Sequence, residues 1–203
     1  MNKPLEQEIR GIRVNATPGQ RPMLIDGVDT CVALFAKRCD EIGERTAHRE
    51  KDLGIWQAYS WAEYYEAAKN IGMGLVKLGL KRGEVVSILS EDRKEWLYFD
   101  MGVQCVGGIC SGVYTTDSAR QLDYLLRDSG STFLIVENDE QLDKFLEIAD
   151  QATLIKKVII LDKDGLHDLN DDRFIFLDDL YALGVAHNAQ NPDMFAASIK
   201  AVK

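Results

Sequence analysis

Positive charge and extended apolar stretches are both scarce in this sequence. Lysine and arginine number 24 against 33 aspartates and glutamates, a formal net charge of −9. A nucleic-acid footprint needs a basic face, and this balance argues against one. No apolar stretch approaches the roughly 20 residues that span a bilayer. The polar, mixed-charge start from Met1 to Arg13 lacks the apolar centre of an export signal. A cytoplasmic chain is therefore expected. Metal ligands are sparse too. Cys31, Cys39, Cys105 and Cys110 form no Cys-x-x-Cys pair, and His48, His167 and His187 do not stand at zinc spacing from them. Reduced thiols on apolar faces are expected, with the histidines on the surface or in loops.

What remains is ordinary globular material. With 46% hydrophobic and 28% charged residues over 203 positions, the chain can bury one substantial core. Residues 1–27 hold three of the four prolines and little periodicity, and read as an irregular N-terminal arm. Thr30 caps a helix with Val32, Phe35, Cys39 and Ile42 on one face. Extended segments around Thr46–Arg49 and Ile55–Tyr59 form a small hairpin. Ser60-Trp61-Ala62-Glu63 is a capping box, opening a helix that Gly79 stops.

From Glu84 the pattern alternates. Val85–Leu89 is a short strand buried on both faces. Ser90 to Asp92 cap a helix ended by Gly107-Gly108, and Ile109 to Tyr114 is the next strand. Ser118-x-x-Gln121 is a second capping box. Strands over Thr132–Val136 and Lys157–Leu161 flank a helix at Glu140–Ala149. A short strand at Phe174–Leu177 precedes a helix from Asp178 to about Ala186. The expected fold class is α/β, a mostly parallel sheet with flanking helices. Its divisions are the arm at 1–27, an α/β subdomain at 28–186, and a helical lead-in at 187–203 to a region further downstream.

The residues themselves offer little chemistry. Gly107-Gly108-Ile109-Cys110-Ser111-Gly112 precedes a strand where a phosphate loop follows one, and reads as a tight turn. Gly72-Met73-Gly74 lies within a helix and reads as a close-packing site. Asp162-Lys163-Asp164-Gly165 is a solvated turn rather than a calcium loop. Ser87, Ser90 and Ser111 lack a nucleophile frame. Trp56, Tyr59, Trp61, Tyr64 and Tyr65 either pack the hairpin on its helix or line an apolar ligand site. Glu95-Trp96, at a helix start after a strand, stands where open α/β sheets place their ligand crevices. Packing of Trp96 beneath the sheet is the other reading.

The run Gly83-Glu84-Val85-Val86-Ser87-Ile88-Leu89-Ser90-Glu91-Asp92-Arg93-Lys94-Glu95-Trp96 resembles the N-terminal region of the adenylate-forming (AMP-binding) ligases, and long-chain fatty acyl-CoA synthetases most of all. Their Ser-Glu-Asn-Arg-x-Glu-Trp stretch opens a helix after such a strand. The likeness continues through Gly107-Gly108, Tyr114-Thr115-Thr116, Gln121, Tyr124 and Asp128-Ser129-Gly130. Upstream it includes Arg49-Glu50-Lys51-Asp52-Leu53-Gly54-Ile55-Trp56 and Tyr59-Ser60-Trp61, so it covers Thr30 to Leu183. Asp92 stands where Asn is typical, Lys94 where Pro is frequent, and Thr115 where Pro often precedes the threonine. These departures leave the subfamily and acyl chain length open.

The resemblance implies the N-terminal part of the large domain of a two-step enzyme. A carboxylate attacks the α-phosphate of ATP, and coenzyme A then displaces AMP. Fatty acid, ATP, Mg²⁺ and coenzyme A are implied for the full-length enzyme. No catalytic, cofactor-binding or metal residue is expected in this chain, which has no Thr-Thr-Gly and no Pro-Lys. Glu95, Trp96, Tyr114 and Thr116 are candidates for a crevice edge or acyl-site wall. Taken alone, the chain is expected to be inactive and to self-associate through an uncovered sheet. The alternatives are a non-catalytic binding or interaction module derived from this fold, an enzyme adenylating an aryl or amino acid, and an unrelated flavodoxin-type domain.

Overall fold

The computed structural model describes residues 5–9, 12–16, 24–166, 169 and 171–203. At the front, β1 (Leu5–Ile9) and β2 (Ile12–Ala16) pair antiparallel. An irregular arm was expected here, but Ile12, Val14 and Ala16 alternate at strand period. The remainder of the arm up to Met23 lies outside the described residues. In α1 (Cys31–Glu41) the Thr30 hydroxyl accepts the Ala33 N–H at 3.3 Å, and Val32, Phe35 and Cys39 turn inward.

The expected hairpin is β3 (Thr46–Asp52) paired with β4 (Ile55–Ser60). Leu53 and Gly54 join them, both at positive φ (45° and 85°), which suits the right-handed twist of the strands. In α2 (Trp61–Lys77) both halves of the capping box form: Glu63 N–H donates to Ser60 Oγ at 3.2 Å, and Ser60 N–H to the Glu63 carboxylate at 2.7 Å. Gly79, at φ 97°, turns the chain just past the helix end.

The alternating units then follow: β5 (Val85–Leu89), α3 (Lys94–Cys105), β6 (Ile109–Val113), α4 (Ala119–Ser129), β7 (Ser131–Val136), α5 (Asp139–Leu146), β8 (Lys157–Ile160), β9 (Phe174–Phe176), α6 (Leu177–Gln190) and α7 (Met194–Ala201). The five strands form one parallel sheet in the order β6-β5-β7-β8-β9. Side chains alternate across it. Val86, Ile88, Phe133, Ile135 and Ile159 pack with α1, α2, α3, α6 and α7. Leu89, Val113, Leu134, Val136, Val158 and Ile160 pack with α4 and α5. The polar break is satisfied internally: Ser87 Oγ lies 2.7 Å from Ser131 Oγ, itself 2.7 Å from Ser129 Oγ.

Helices pack on both faces of the sheet, and on its edge strand β6 Ile109 stays exposed. α6 runs to Gln190, past the helix end expected near Ala186, and Phe195 in the segment beyond is 1% exposed.

Glycines allow α2 to sit unusually close to its neighbours. A Cβ at Gly72 would lie 2.7 Å from the Gly102 carbonyl oxygen, one at Gly102 2.6 Å from that of Ala68, and one at Gly74 2.6 Å from that of Leu180. At Gly184 it would run into the Asn70 carbonyl. Because backbone cannot step aside as a side-chain end can, Gly102→Ala and Gly184→Ala should each lower stability by about 1–3 kcal/mol. Urea unfolding measures this, and midpoints equal to wild type for both variants would contradict it.

Candidate functional site

The chain passes from β5 to β6 through α3 on one face of the sheet. It then returns through α4 on the other face to β7, on the far side of β5. Strand order therefore reverses at β5, and a crevice opens beyond the carboxyl ends of strands at such a point. Beside that point, beyond the carboxyl ends of β5 and β6, lies a cavity of about 530 Å³, walled by the Ser90–Asp92 turn, by Trp96 and Leu97 of α3, and by Gly112 to Thr115. Gly112 borders the Trp96 ring: a Cβ there would sit 3.4 Å from Trp96 Cζ2, in ordinary van der Waals contact.

The rim is held by directed bonds. Glu137, just past β7, accepts the Glu91 N–H at 2.6 Å and the Ser90 hydroxyl at 3.2 Å. The Thr115 hydroxyl donates to Glu91, and the Lys144 ammonium donates to the Thr115 carbonyl. Of the four candidate residues, Trp96 and Tyr114 share this wall, with Tyr114 79% exposed. Glu95 does not face the cavity. It is buried and bonded to Arg93 Nε at 2.7 Å and Lys94 Nζ at 3.2 Å. Thr116 is exposed, outside the wall. Thr115, Leu97 and the Ser90–Asp92 turn are among the wall residues outside those four candidates.

The start of α3 also differs from expectation. Arg93 occupies the N-cap position without a side-chain cap, and Ser90 to Asp92 do not bond to the first turn. The cap comes from the hairpin instead: Glu50 accepts the Lys94 N–H at 3.3 Å and the Lys94 ammonium at 2.7 Å. This latch bounds a second, polar cleft of about 730 Å³ between the hairpin and α3. Arg49, Lys51, Trp56 and Tyr59 form one side, and Asp92 to Lys94 with Leu97 the other.

The five aromatic residues divide. Trp61, Tyr64 and Tyr65 pack around Phe35, with centroids 4.8 Å apart for Phe35–Tyr64. Trp56 is 65% exposed. His48, expected on the surface or in a loop, sits in β3 and stacks on Tyr59 at 5.1 Å, its Nε2 3.1 Å from Tyr98 Oη. Burial pulls its pKa below 6.5 and Lys94 adds to this, while Glu50 and Glu63 oppose it. His187 meets Asn191, and His167 lies outside the described residues. Burial pushes the Cys39 and Cys105 thiols up to about 12, so neither is a ready thiolate at neutral pH.

Phosphate and metal chemistry find little support in these residues. The Arg82 side chain crowds Gly107, at φ 84°, and Gly107 accepts the Gly83 N–H at 2.8 Å, closing a turn rather than an anion cradle. Among the described residues no group of three or more His, Cys, Asp or Glu side chains is placed to hold a metal ion. Asp162-Lys163-Asp164-Gly165 is an exposed turn, as expected.

A family model described as AMP-binding enzyme matches residues 35–196. The chain belongs to the AMP-binding enzyme family. Long-chain-fatty-acid–CoA ligase ACSBG2 of Xenopus laevis is 34% identical to it over 126 residues, 62% of this chain and 17% of that protein. The ACSBG1 ligase of Bos taurus is 33% identical over 127 residues, 63% and 18%. ACSBG2 of Homo sapiens is 34% identical over 131 residues, 64% and 20%. The chain thus spans about a fifth of the length of these relatives, matching their N-terminal portion.

Among solved structures, coronafacic acid ligase from Pectobacterium brasiliense superposes with a TM-score of 0.67 at 15% identity, over 74% of this chain and 29% of that one. A putative long-chain-fatty-acid CoA ligase from Rhodopseudomonas palustris gives 0.63 at 20% identity, over 74% and 36%. At these identities the agreement is one of fold, and it bears out the α/β large-domain architecture of adenylate-forming ligases. No helix among the described residues of this AMP-binding family chain is long and apolar enough to cross a membrane.

The Glu50–Lys94 latch titrates. Burial raises the Glu50 pKa, but the hydrogen bonds and charge of Lys94, with Arg93, outweigh it, so the folded value lies below 4.5. The stabilisation is therefore present above 4.5 and lost as pH falls through the lower folded value. Glu50→Gln should cost about 1 kcal/mol or less at neutral pH. That difference from wild type should shrink below pH 4.5 in urea unfolding. A difference that grew in acid would contradict the assignment.

Proposed function

We propose that these residues are the N-terminal portion of an ATP-dependent long-chain fatty acid–CoA ligase, acting in the cytoplasm on fatty acid, ATP and coenzyme A. The observation that carries this reading is the Gly83–Trp96 strand, turn and helix start, inside the stretch that the family model matches. The relatives named as long-chain-fatty-acid–CoA ligases support the acid class.

In the full reaction the acid's carboxylate oxygen bonds to the α-phosphorus of ATP, releasing pyrophosphate. The thiol of coenzyme A then attacks the acyl carbon, and AMP leaves. The family uses ATP, and Mg²⁺ would offset charge on the triphosphate. This part contributes scaffold and the Trp96–Tyr114 crevice, as an edge or acyl-site wall, while the groups that adenylate lie elsewhere in the enzyme.

A non-catalytic binding module is the second reading. Helices cover both faces of its sheet, which favours a unit able to fold without further layers.

The 203-residue polypeptide should show no ATP–pyrophosphate exchange with fatty acids of any length. Robust exchange would overturn the proposal. Saturable binding of a fatty acid or protein partner by a chain expressed naturally at this length would favour the module.

A further inference from the structure

The β3–β4 hairpin projects from the body with its outer half uncovered: every residue from Lys51 to Ala58 is exposed. Three large apolar side chains crowd its end, Leu53 at 96% exposure with Ile55 and Trp56 at 65%. Leu53 holds φ 45°, a backbone region suited to Asn, Asp or Gly. A leucine there gains no burial in this chain and sits in a turn that polar residues fit better.

The pairing register distributes the apolar groups around the tip. Lys51 pairs with Trp56, and Asp52 with Ile55, so Trp56 and Ile55 point to opposite faces, with Leu53 at the turn between them. A protein groove would cover one face and leave the other wet. Cations stand directly behind. Arg49 and Lys51 share the Trp56 face, and the Lys51 ammonium lies 6.0 Å from the Trp56 ring centre. Neither makes an ion pair among the described residues. Of the nearby carboxylates, Glu50 is held by Lys94, and Asp52 pairs with Ile55 across the hairpin, while Asp92 stands across the cleft.

We propose that this hairpin tip docks on an anionic lipid surface. Leu53 and Ile55 enter the acyl boundary, Trp56 lies at headgroup level, and Arg49 and Lys51 meet lipid phosphates. The polar cleft behind the tip, which they line together with Arg93 and Lys94 and with the carboxylates Glu50, Asp52 and Asp92, gives a headgroup room. The chain's net charge of −9 repels an anionic surface over most of the molecule, which confines contact to the tip and the Arg49–Lys51 face of the hairpin. A second copy fits less well. Three side chains on a turn offer far less than the roughly 800 Å² per partner of a stable protein interface. The inference does not depend on the ligase reading, because lipid binding and pyrophosphate exchange are scored separately.

The test is co-sedimentation of the 203-residue chain with vesicles of phosphatidylcholine, alone or mixed with phosphatidylglycerol. Wild type should bind the mixed vesicles and bind the neutral ones more weakly. The triple variant Leu53→Asn, Ile55→Thr, Trp56→Gln should lose roughly tenfold or more in affinity, given the apolar area removed. It should keep its circular dichroism and melting temperature, since those side chains are exposed and Asn suits the turn. Arg49→Glu with Lys51→Glu should abolish the difference between the two vesicle types. Failure of wild type to bind either vesicle would overturn the proposal. So would equal binding by the folded tip variant, an unchanged vesicle preference in the charge variant, or a dimer lost in the tip variant without any vesicle binding.

Discussion

Where α2 crosses α3 and α6, carbonyl oxygens occupy the space that side chains would need. The Gly102, Ala68 and Leu180 carbonyls lie within 2.7 Å of where a Cβ would stand at Gly72, Gly102 and Gly74. Backbone this close leaves no slack for sliding, so the three helices move as one body over the Val86–Ile88 face of the sheet. The glycines cost helix propensity in α2. Their return is burial: Ile71, Met73 and Leu75 on the same helix are fully enclosed.

Both clefts inherit their shape from that clasp. α3 carries Trp96 toward the end of β6 and Lys94 toward the hairpin, so its placement sets one wall of each. The hairpin feeds directly into α2 through the Ser60 cap, which ties its root to the same body. At the start of α3 the charges interlock: Glu95 bonds Arg93 and Lys94, Lys94 bonds Glu50, and Arg93 also approaches Glu137 at 3.7 Å. Partly buried networks of this kind are costly when half satisfied, and here nearly every member has a partner.

Legibility in the sequence followed the range of the interaction. The boxes at Ser60–Glu63 and Ser118–Gln121 could be read because donor and acceptor lie three residues apart. Val85–Leu89 could be read because burial on both faces leaves an unbroken apolar run. Order within the sheet could not, since β7 pairs with β5 across α3, β6 and α4. Nor could the cap on α3, because Glu50 stands 44 residues before Lys94. Trp96 near a helix start and Tyr114 just past a strand could be named as crevice-edge candidates from their places in the pattern alone. The inward turn of Glu95 depended on cations whose direction no local pattern reveals. Leu53-Gly54 falls between the two extended segments of the hairpin, but the exposure of its leucine is a property of the folded surface.

Membership of the AMP-binding family rests on the stretch from 35 to 196, and nearly all of the α2 clasp lies inside it. The most direct test of the clasp is native-state hydrogen exchange on the wild-type chain across a urea series. If α2, α3 and α6 form one body with the sheet, their slowest amides and those of β5 and β7 should share a single opening free energy equal to that of global unfolding. Opening of the α2–α6 layer at a clearly lower free energy, with β5 and β7 still protected, would contradict the account.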